Sequence, residues 1–352
     1  MARLKQAIIR CGLESLYFTG AYSALRPYVG GVGVILTMHH VRPPSPGRFQ
    51  PNRLLEITPQ FLTRVIKLVR RSGLDLISLD ELHRRMSEGD FGRRFVCLTF
   101  DDGYRDIKEH AYPTLKAAGV PFAIYVATSF PDRLGELWWF ALEAIVAKND
   151  RVGVMIEGEN RIFDCKSVAE KRALYHELYW WLRSQPTDND ARAIIRNLAA
   201  CHHVDIAAFC RDLCMDWQEL TALAADPLVT IGAHTVNHPM LAKVSEKAVR
   251  TELEMGRSVI EAALAKRPAH LSYPYGDATS AGPREFQIAA EMGFKTAVTT
   301  RPGVLFPAHR TQLTALPRIS LNGEYQQLRY VRVLLSGAAT AMWNGLRTQE
   351  AA

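Results

Sequence analysis

No apolar run long enough to span a bilayer, about 18 residues, occurs in the chain of 352 residues, so no transmembrane helix is expected. Long Lys/Arg blocks, RNA-binding signatures and zinc-finger spacings are also missing. The net charge of +7 and pI of about 9.1 are therefore spread along the chain. Diffuse positive charge of this size favours acidic partners such as anionic glycans, phosphates or an anionic membrane surface, and no nucleic-acid partner is expected. Cysteine is sparse, with six in the chain, several within apolar runs. Reduced structural thiols and a cytoplasmic location are the expectation. Cys201, His202, His203, Cys210 and Cys214 do not form a knuckle, because Cys210 and Cys214 are spaced i,i+4 on an expected helix. The N-terminal 25 residues carry Arg3, Lys5 and Arg10 but no apolar run of signal length, so a secretory signal is not expected. Internal repeats and low-complexity segments are absent from the sequence.

The apolar fraction of 48% and mean hydropathy of −0.08 describe a globular chain with a substantial core. Its length suits one large α/β domain with insertions, or two domains. Residues 4–26 have amphipathic helical spacing, which predicts packing against the domain or contact with a membrane surface. The glycines at 30, 31 and 33 end it, and Val34–Met38 is a short buried strand running into His39-His40. The Pro-rich stretch from Pro43 to Pro51 predicts a rigid loop at the rim of a cleft. Thr58 caps a helix with Pro59 at its first position, running to about Ser72. Leu76–Leu79 reads as a short strand, with Asp80 capping the next helix. A helix is expected over Tyr104–Ala118, and Pro121–Ala127 is a further buried strand. Strand–helix–strand alternation implies a parallel sheet, open or closed into a barrel.

That alternation fails between Trp138 and about Leu223, which is mostly helical with a small hairpin near Glu157-Gly158-Glu159-Asn160. This predicts a helical insertion, whose tryptophans are core or stack on sugars. The alternation resumes at Leu228–Ala233 and continues through helices over 245–265 and 283–292 to Leu316–Leu321. The expected organisation is an N-terminal amphipathic helix (1–29), a catalytic domain (30–323, with the insertion at 130–225) and a helical tail (324–352), helical over Glu324–Arg347.

The chemistry concentrates where strands end. Phe95–Phe100 is β-branched and apolar, and it stops at Asp101-Asp102-Gly103. Adjacent carboxylates raise each other's pKa unless a cation or hydrogen bonds absorb the repulsion. An Asp-Asp-Gly turn explains the pair as well as a metal or acid/base site does. The decision comes from His234 and His238, four apart directly after another apolar strand. On a helical turn this spacing puts both imidazoles on one face. Two imidazoles and one carboxylate, with open positions for water, make a hydrolytic metal site, and the second carboxylate is then free to take a proton.

Thr99-Phe100-Asp101-Asp102-Gly103, His234-Thr235-Val236-Asn237-His238-Pro239 and Tyr273-Pro274-Tyr275-Gly276 resemble the first three motifs of the polysaccharide deacetylase family. The resemblance covers about 34–321. It implies a distorted (β/α) barrel of about seven units and metal-dependent removal of an acetyl group from an N-acetylated glycan. By position it makes Asp101 the general base. It makes Asp102, His234 and His238 ligands of a divalent metal, usually zinc. The loop at Tyr275 supplies a backbone N–H for the oxyanion.

The sequence departs from the family pattern twice. Where the third motif often has an Arg that orients the catalytic Asp, this chain has Ser272, and Arg318 stands as the substitute from another strand. The family's late Leu-x-His is not evident, and the surroundings of His309 do not match it. Met38-His39-His40-Val41 resembles the arrangement of members that carry a His after the first strand, so His39 is assigned as general acid with His40 as alternate. Competing readings are an O-deacetylase or other amide hydrolase on the same fold, and a degenerate glycan-binding protein. The expected partner is an N-acetylated glycan, with peripheral contact at the inner membrane face.

Overall fold

The computed structural model describes residues 2–156 and 158–345. We number its barrel strands β1 (Gly33–Met38), β2 (Phe95–Phe100), β3 (Phe122–Val126), β4 (Val229–Ala233), β5 (His270–Ser272), β6 (Thr296–Pro302) and β7 (Leu316–Ser320). Each pairs in parallel with the next, and β7 pairs with β1 to close the barrel. The closed seven-strand barrel is the (β/α) architecture that the resemblance implies. Every residue of β1, β2 and β3 is buried, as expected of strands covered on both faces.

The period of two along each strand divides the core. Val34, Leu36, Val96, Leu98, Phe100, Ile124 and Val126 pack outward with Phe61, Leu62 and Val65 of the surrounding helix Pro59–Arg71. Ile35, Phe95, Cys97, Ala123, Tyr125, Val298 and Leu316 form a separate cluster drawn from β1, β2, β3, β6 and β7. Residues from strands on opposite sides of a barrel meet only through its interior. Leu79, Leu82 and Met86 of helix Leu79–Glu88 join this cluster and close its lower end. Thr99 and Asp101 continue the inward set of β2, so the strand period itself aims Asp101 into the barrel.

The insertion contains helices Trp138–Lys148, Val168–Ser184, Asp188–Cys201, Ile206–Leu213 and Trp217–Ala224. It also holds an antiparallel hairpin of Arg151–Ile156 with Glu159–Asp164, whose expected turn residue Glu157 lies outside the described residues. Trp138 and Trp139 are buried. Cys210 sits on a helix and Cys201 is exposed.

Several local expectations are corrected. The single helix expected over 4–26 is two, Ala2–Phe18 and Ala21–Val29, because Gly20 turns left-handed at φ 73°. The tail is likewise split by Gly337 at φ 78° into Leu328–Leu335 and Ala338–Trp343, and Arg347 lies outside the described residues. Ser78, not Asp80, caps the helix after the second short strand, which is Asp75–Leu76. Asp80 pairs instead with Lys295 at 2.7 Å and His270 at 3.4 Å. The helix after Gly103 begins with a π turn at Ile107–Ala111 before Tyr112–Ala117.

The terminal helices pack on each other. Leu13 and Leu16 meet Tyr330, Val333 and Ala338, and the Glu14 carboxylate accepts hydrogen bonds from Tyr330 Oη at 2.7 Å and Arg329 at 2.9 Å. Gly337 is the hinge of this layer, since a Cβ there would stand 2.0 Å from the Val29 carbonyl oxygen. Gly337→Ala combines that clash with a left-handed φ and is expected to lower stability by roughly 1–3 kcal/mol. The midpoint of a urea unfolding curve measures it.

Candidate active site

At the C-terminal ends of the strands, the fold gathers Asp101 and Asp102 after β2, His39 after β1, His234 and His238 after β4, and Tyr275 after β5. Arg318 reaches them from within β7. A register shift between β6 and β7, from Val298↔Leu316 to Pro302↔Arg318, precedes the arginine. Its side chain is fully enclosed and lies 5.9 Å from the Tyr125 ring centre, across the barrel interior.

Arg318 grips Asp101 with both ends of its fork: Nη1 donates to Oδ1 at 2.8 Å and Nη2 to Oδ2 at 2.7 Å. Its Nε donates to the Thr299 carbonyl at 2.8 Å, and Nη2 also donates to Ser272 Oγ at 3.0 Å. Ser272 and Arg318 therefore both stand against Asp101. Burial pushes the Asp101 carboxyl up, but the guanidinium outweighs it and holds the group below the ordinary carboxylate range.

Asp102 faces the other way. Its φ of 69° is left-handed, and Gly103 continues that turn at 66°. Its Oδ1 lies 3.5 Å from His234 Nε2 and 3.4 Å from His238 Nε2. The three residues are buried, and their ligand atoms all lie within 4.8 Å of one another. Asp102 Oδ1 has no hydrogen-bond partner among the described residues. His234 Nδ1 donates to the Ser272 carbonyl at 2.6 Å, which fixes the tautomer and turns the Nε2 lone pair inward. Burial pushes His238 down to about 3, so its imidazole is neutral. Burial would do the same to His234, but the facing Asp102 carboxylate raises it. Burial pushes the Asp102 carboxyl up, but the His234 imidazole outweighs it and holds the group well below the usual range. A buried, unpartnered carboxylate oxygen facing two imidazole nitrogens fits a small divalent cation.

The His-x-x-x-His segment is not the helical turn expected from its spacing. Thr235 and His238 are left-handed, at φ 69° and 56°. Glu252, from helix Glu246–Leu264, holds the loop instead: its carboxylate accepts from Val236 N at 2.8 Å, Asn237 N at 2.9 Å and Asn237 Nδ2 at 2.7 Å. Thr235 Oγ1 accepts from His238 N at 3.0 Å. Glu252 lay in an ordinary amphipathic stretch and carried no sequence signal.

The two adjacent histidines have different surroundings. His39 Nε2 is 4.0 Å from Asp101 Oδ2, and its side chain is 21% exposed, within reach of a ligand. Burial lowers its pKa against the opposing charge of Asp101. His40 is buried, bonds through Nδ1 to Asp106 at 2.6 Å and stacks on Tyr104 at 3.6 Å. Asp106, four residues beyond Asp102, was not singled out from the sequence.

Tyr275 is left-handed at φ 59°, and the insertion fastens it. Its hydroxyl accepts from Trp138 Nε1 at 2.7 Å, and the Arg183 guanidinium lies 4.9 Å from its ring centre. The Tyr275 and His238 rings are 4.9 Å apart, and Trp139 stands 5.4 Å from His238. Helices Trp138–Lys148 and Val168–Ser184 thus form one wall of the site.

Fold and site together define a barrel hydrolase with a carboxylate–imidazole cluster suited to a metal. The polysaccharide deacetylase family profile matches residues 88–157 and 181–297, just over half of the chain. The chain belongs to the polysaccharide deacetylase family, and its class is that of a hydrolytic deacetylase acting on a glycan. The fold is similar to that of the Streptococcus pyogenes deacetylase PplD in complex with acetate, at 19% identity and a TM-score of 0.56 over 86% of this chain and 97% of that one. It is also similar to IcaB from Ammonifex degensii, at 17% identity and a TM-score of 0.52 over 87% and 96% of the two chains. The de-N-acetylase from Aggregatibacter actinomycetemcomitans aligns at 13% identity and a TM-score of 0.55 over 86% and 99%. At these identities the likeness is one of fold. No curated protein sequence matches the chain.

Because Arg318 depresses Asp101, ionisation of that carboxylate adds stability above the unfolded group's range, about pH 4. The contribution is lost as pH falls through the lower folded value. Arg318→Met leaves a buried charge unpaired and is expected to cost about 3–5 kcal/mol at neutral pH. That cost should shrink as pH falls and the unpaired Asp101 carboxyl of the variant takes up a proton, read from urea unfolding followed by circular dichroism across a pH series.

Proposed function

We propose that the chain is a metal-dependent hydrolase that removes N-acetyl groups from an N-acetylated oligo- or polysaccharide of chitooligosaccharide or exopolysaccharide type. The observation that carries this reading is the division of the adjacent carboxylates: Arg318 occupies both oxygens of Asp101, while Asp102 Oδ1 is left to the two imidazoles. Asp102, His234 and His238 would hold the ion, and their nitrogen and oxygen donors suit zinc. When bound, such an ion polarises the acyl oxygen and favours deprotonation of water.

The remaining work falls to this chain's residues. Asp101 is the general base that takes a proton from the attacking water, and Arg318 keeps it ionised and oriented. The Tyr275 backbone N–H, set by its left-handed conformation, donates to the developing oxyanion. His39 gives a proton to the leaving sugar nitrogen as the C–N bond breaks, releasing acetate and a free amine. Burial keeps the resting imidazole neutral, so it is charged during the cycle; Asp101, 4.0 Å away and newly protonated, is the nearest source.

The inner membrane face is the proposed place of action, on oligosaccharide or lipid-linked intermediates met from the cytoplasm. Support comes from the net charge of +7 and from exposed Ile8, Phe18, Tyr28, Met342 and Trp343 on the terminal helices. No helix among the described residues is long and apolar enough to cross a membrane. Fractionation of cells should recover a cytoplasmic, salt-extractable membrane pool. Recovery entirely in the soluble or periplasmic fraction would count against this location.

The chemistry is tested by acetate release from N-acetylglucosamine oligomers and from N- and O-acetylated exopolysaccharides, with and without chelator. Release should require the metal and an N-acetyl substrate. Asp101→Asn should abolish turnover while retaining bound metal, whereas His234→Ala should lose the metal. His39→Ala should lower kcat by roughly 10²–10⁴. Full activity in both Asp101→Asn and His234→Ala, or release only from O-acetylated glycans, would overturn the assignment.

A further inference from the structure

The insertion carries one tryptophan whose setting differs from those in its core. Trp138 and Trp139 are 7% and 6% exposed, whereas Trp180 is 58% exposed on helix Val168–Ser184. A single exposed aromatic residue is ordinary, but this one is braced. The Arg183 guanidinium carbon lies 5.2 Å from the Trp180 ring centre, and Tyr179 meets the indole edge-on at 5.4 Å. Arg183 is itself immobilised, with its side chain 7% exposed and Nη2 donating to Asp277 Oδ2 at 2.7 Å. The same guanidinium lies 4.9 Å from the Tyr275 ring centre, and Tyr275 is 4.9 Å from the His238 ring. Trp180 is thus linked to His238 through three successive side-chain contacts, by way of Arg183 and Tyr275.

We propose that Trp180 is a stacking platform for a sugar ring neighbouring the one whose acetyl group is removed; this rests on the glycan deacetylase reading above. The C–H bonds on one face of a pyranose present a weakly positive, apolar surface, which complements the negative face of an indole. Bracing by Arg183 and Tyr179 sets the platform before the glycan arrives, so little side-chain entropy remains to be lost on binding. Arg183 also ties Trp180 to the Asp277 loop that follows Tyr275. The ligand class is a neutral or N-acetylated oligosaccharide of at least two rings, and a monosaccharide seated at the metal site would not reach the indole.

The test is calorimetric titration of the full-length, metal-loaded chain carrying Asp101→Asn, so that the ligand is not consumed. N-Acetylglucosamine and its di- to hexasaccharide are the probes, with Trp180→Ala and Trp180→Phe added to that background. Oligosaccharides should bind about tenfold more weakly to the Trp180→Ala form, the scale of truncating an aromatic anchor. Trp180→Phe should recover most of the loss, with metal content and melting temperature unchanged. Equal oligosaccharide affinity with and without the indole, or no oligosaccharide binding at all, overturns the platform. Acetate release by the chain with Asp101 intact reports separately on the deacetylase reading. Trp180-dependent binding without release would sustain the platform and overturn that reading.

Discussion

A bidentate ion pair buried inside a barrel is costly to build, since both charges leave water, and it is tolerated only when every donor and acceptor is satisfied. Arg318 and Asp101 meet that condition. The guanidinium also bonds the Thr299 carbonyl and the Ser272 and Thr99 hydroxyls, and Thr99 Oγ1 in turn donates to the Leu36 carbonyl. The network draws on β1, β2, β5, β6 and β7, so it ties most of the barrel's circumference to one carboxylate. Its functional consequence is asymmetry. With both oxygens of Asp101 occupied, the carboxylate next to it is the one left facing the imidazoles.

Around this rigid centre the loops are strained. Asp102, Thr235, His238 and Tyr275 all have left-handed backbone conformations, which disfavour residues with a Cβ. The loop from His234 to His238 and Tyr275 have identifiable restraints. Glu252 saturates the amides beyond His234, the Ser272 carbonyl fixes the His234 ring, and Trp138 with Arg183 fastens Tyr275. Residues distant in sequence thus hold the carboxylate–imidazole cluster and Tyr275 in place. The helical insertion is part of the site's wall, because one of its helices reaches the Tyr275 hydroxyl and another its ring.

Much of this was legible before the fold was known. β1, β2 and β3 are almost wholly apolar runs, the pattern of parallel strands covered on both faces, and β1 and β2 run directly into polar residues. The ends of those runs located Asp101, Asp102, His39, His234 and His238, because polar side chains cluster where buried strands emerge. The helix breaks at Gly20 and Gly337 were not legible, since amphipathic spacing continues through both. The i,i+4 spacing of His234 and His238 suggested a helical turn, but a strained loop places the imidazoles together equally well, and tertiary hydrogen bonds choose it. Glu252, Asp106 and Arg183 lie in ordinary polar positions, and only their partners give them meaning.

By itself, the sequence determined the strand–helix alternation, the inward aim of Asp101 through the two-residue period of β2, and the donor types available to a cation. These are local consequences of side-chain chemistry and backbone periodicity. The resemblance already set Arg318 beside Asp101 and preferred His39 to His40; only the tertiary structure decided the two-ended grip on Asp101, the pairing of His40 with Asp106, and that the insertion would brace Tyr275. Those outcomes depend on contacts between segments separated by up to 217 positions, and on burial that makes one charged pairing stable and another not.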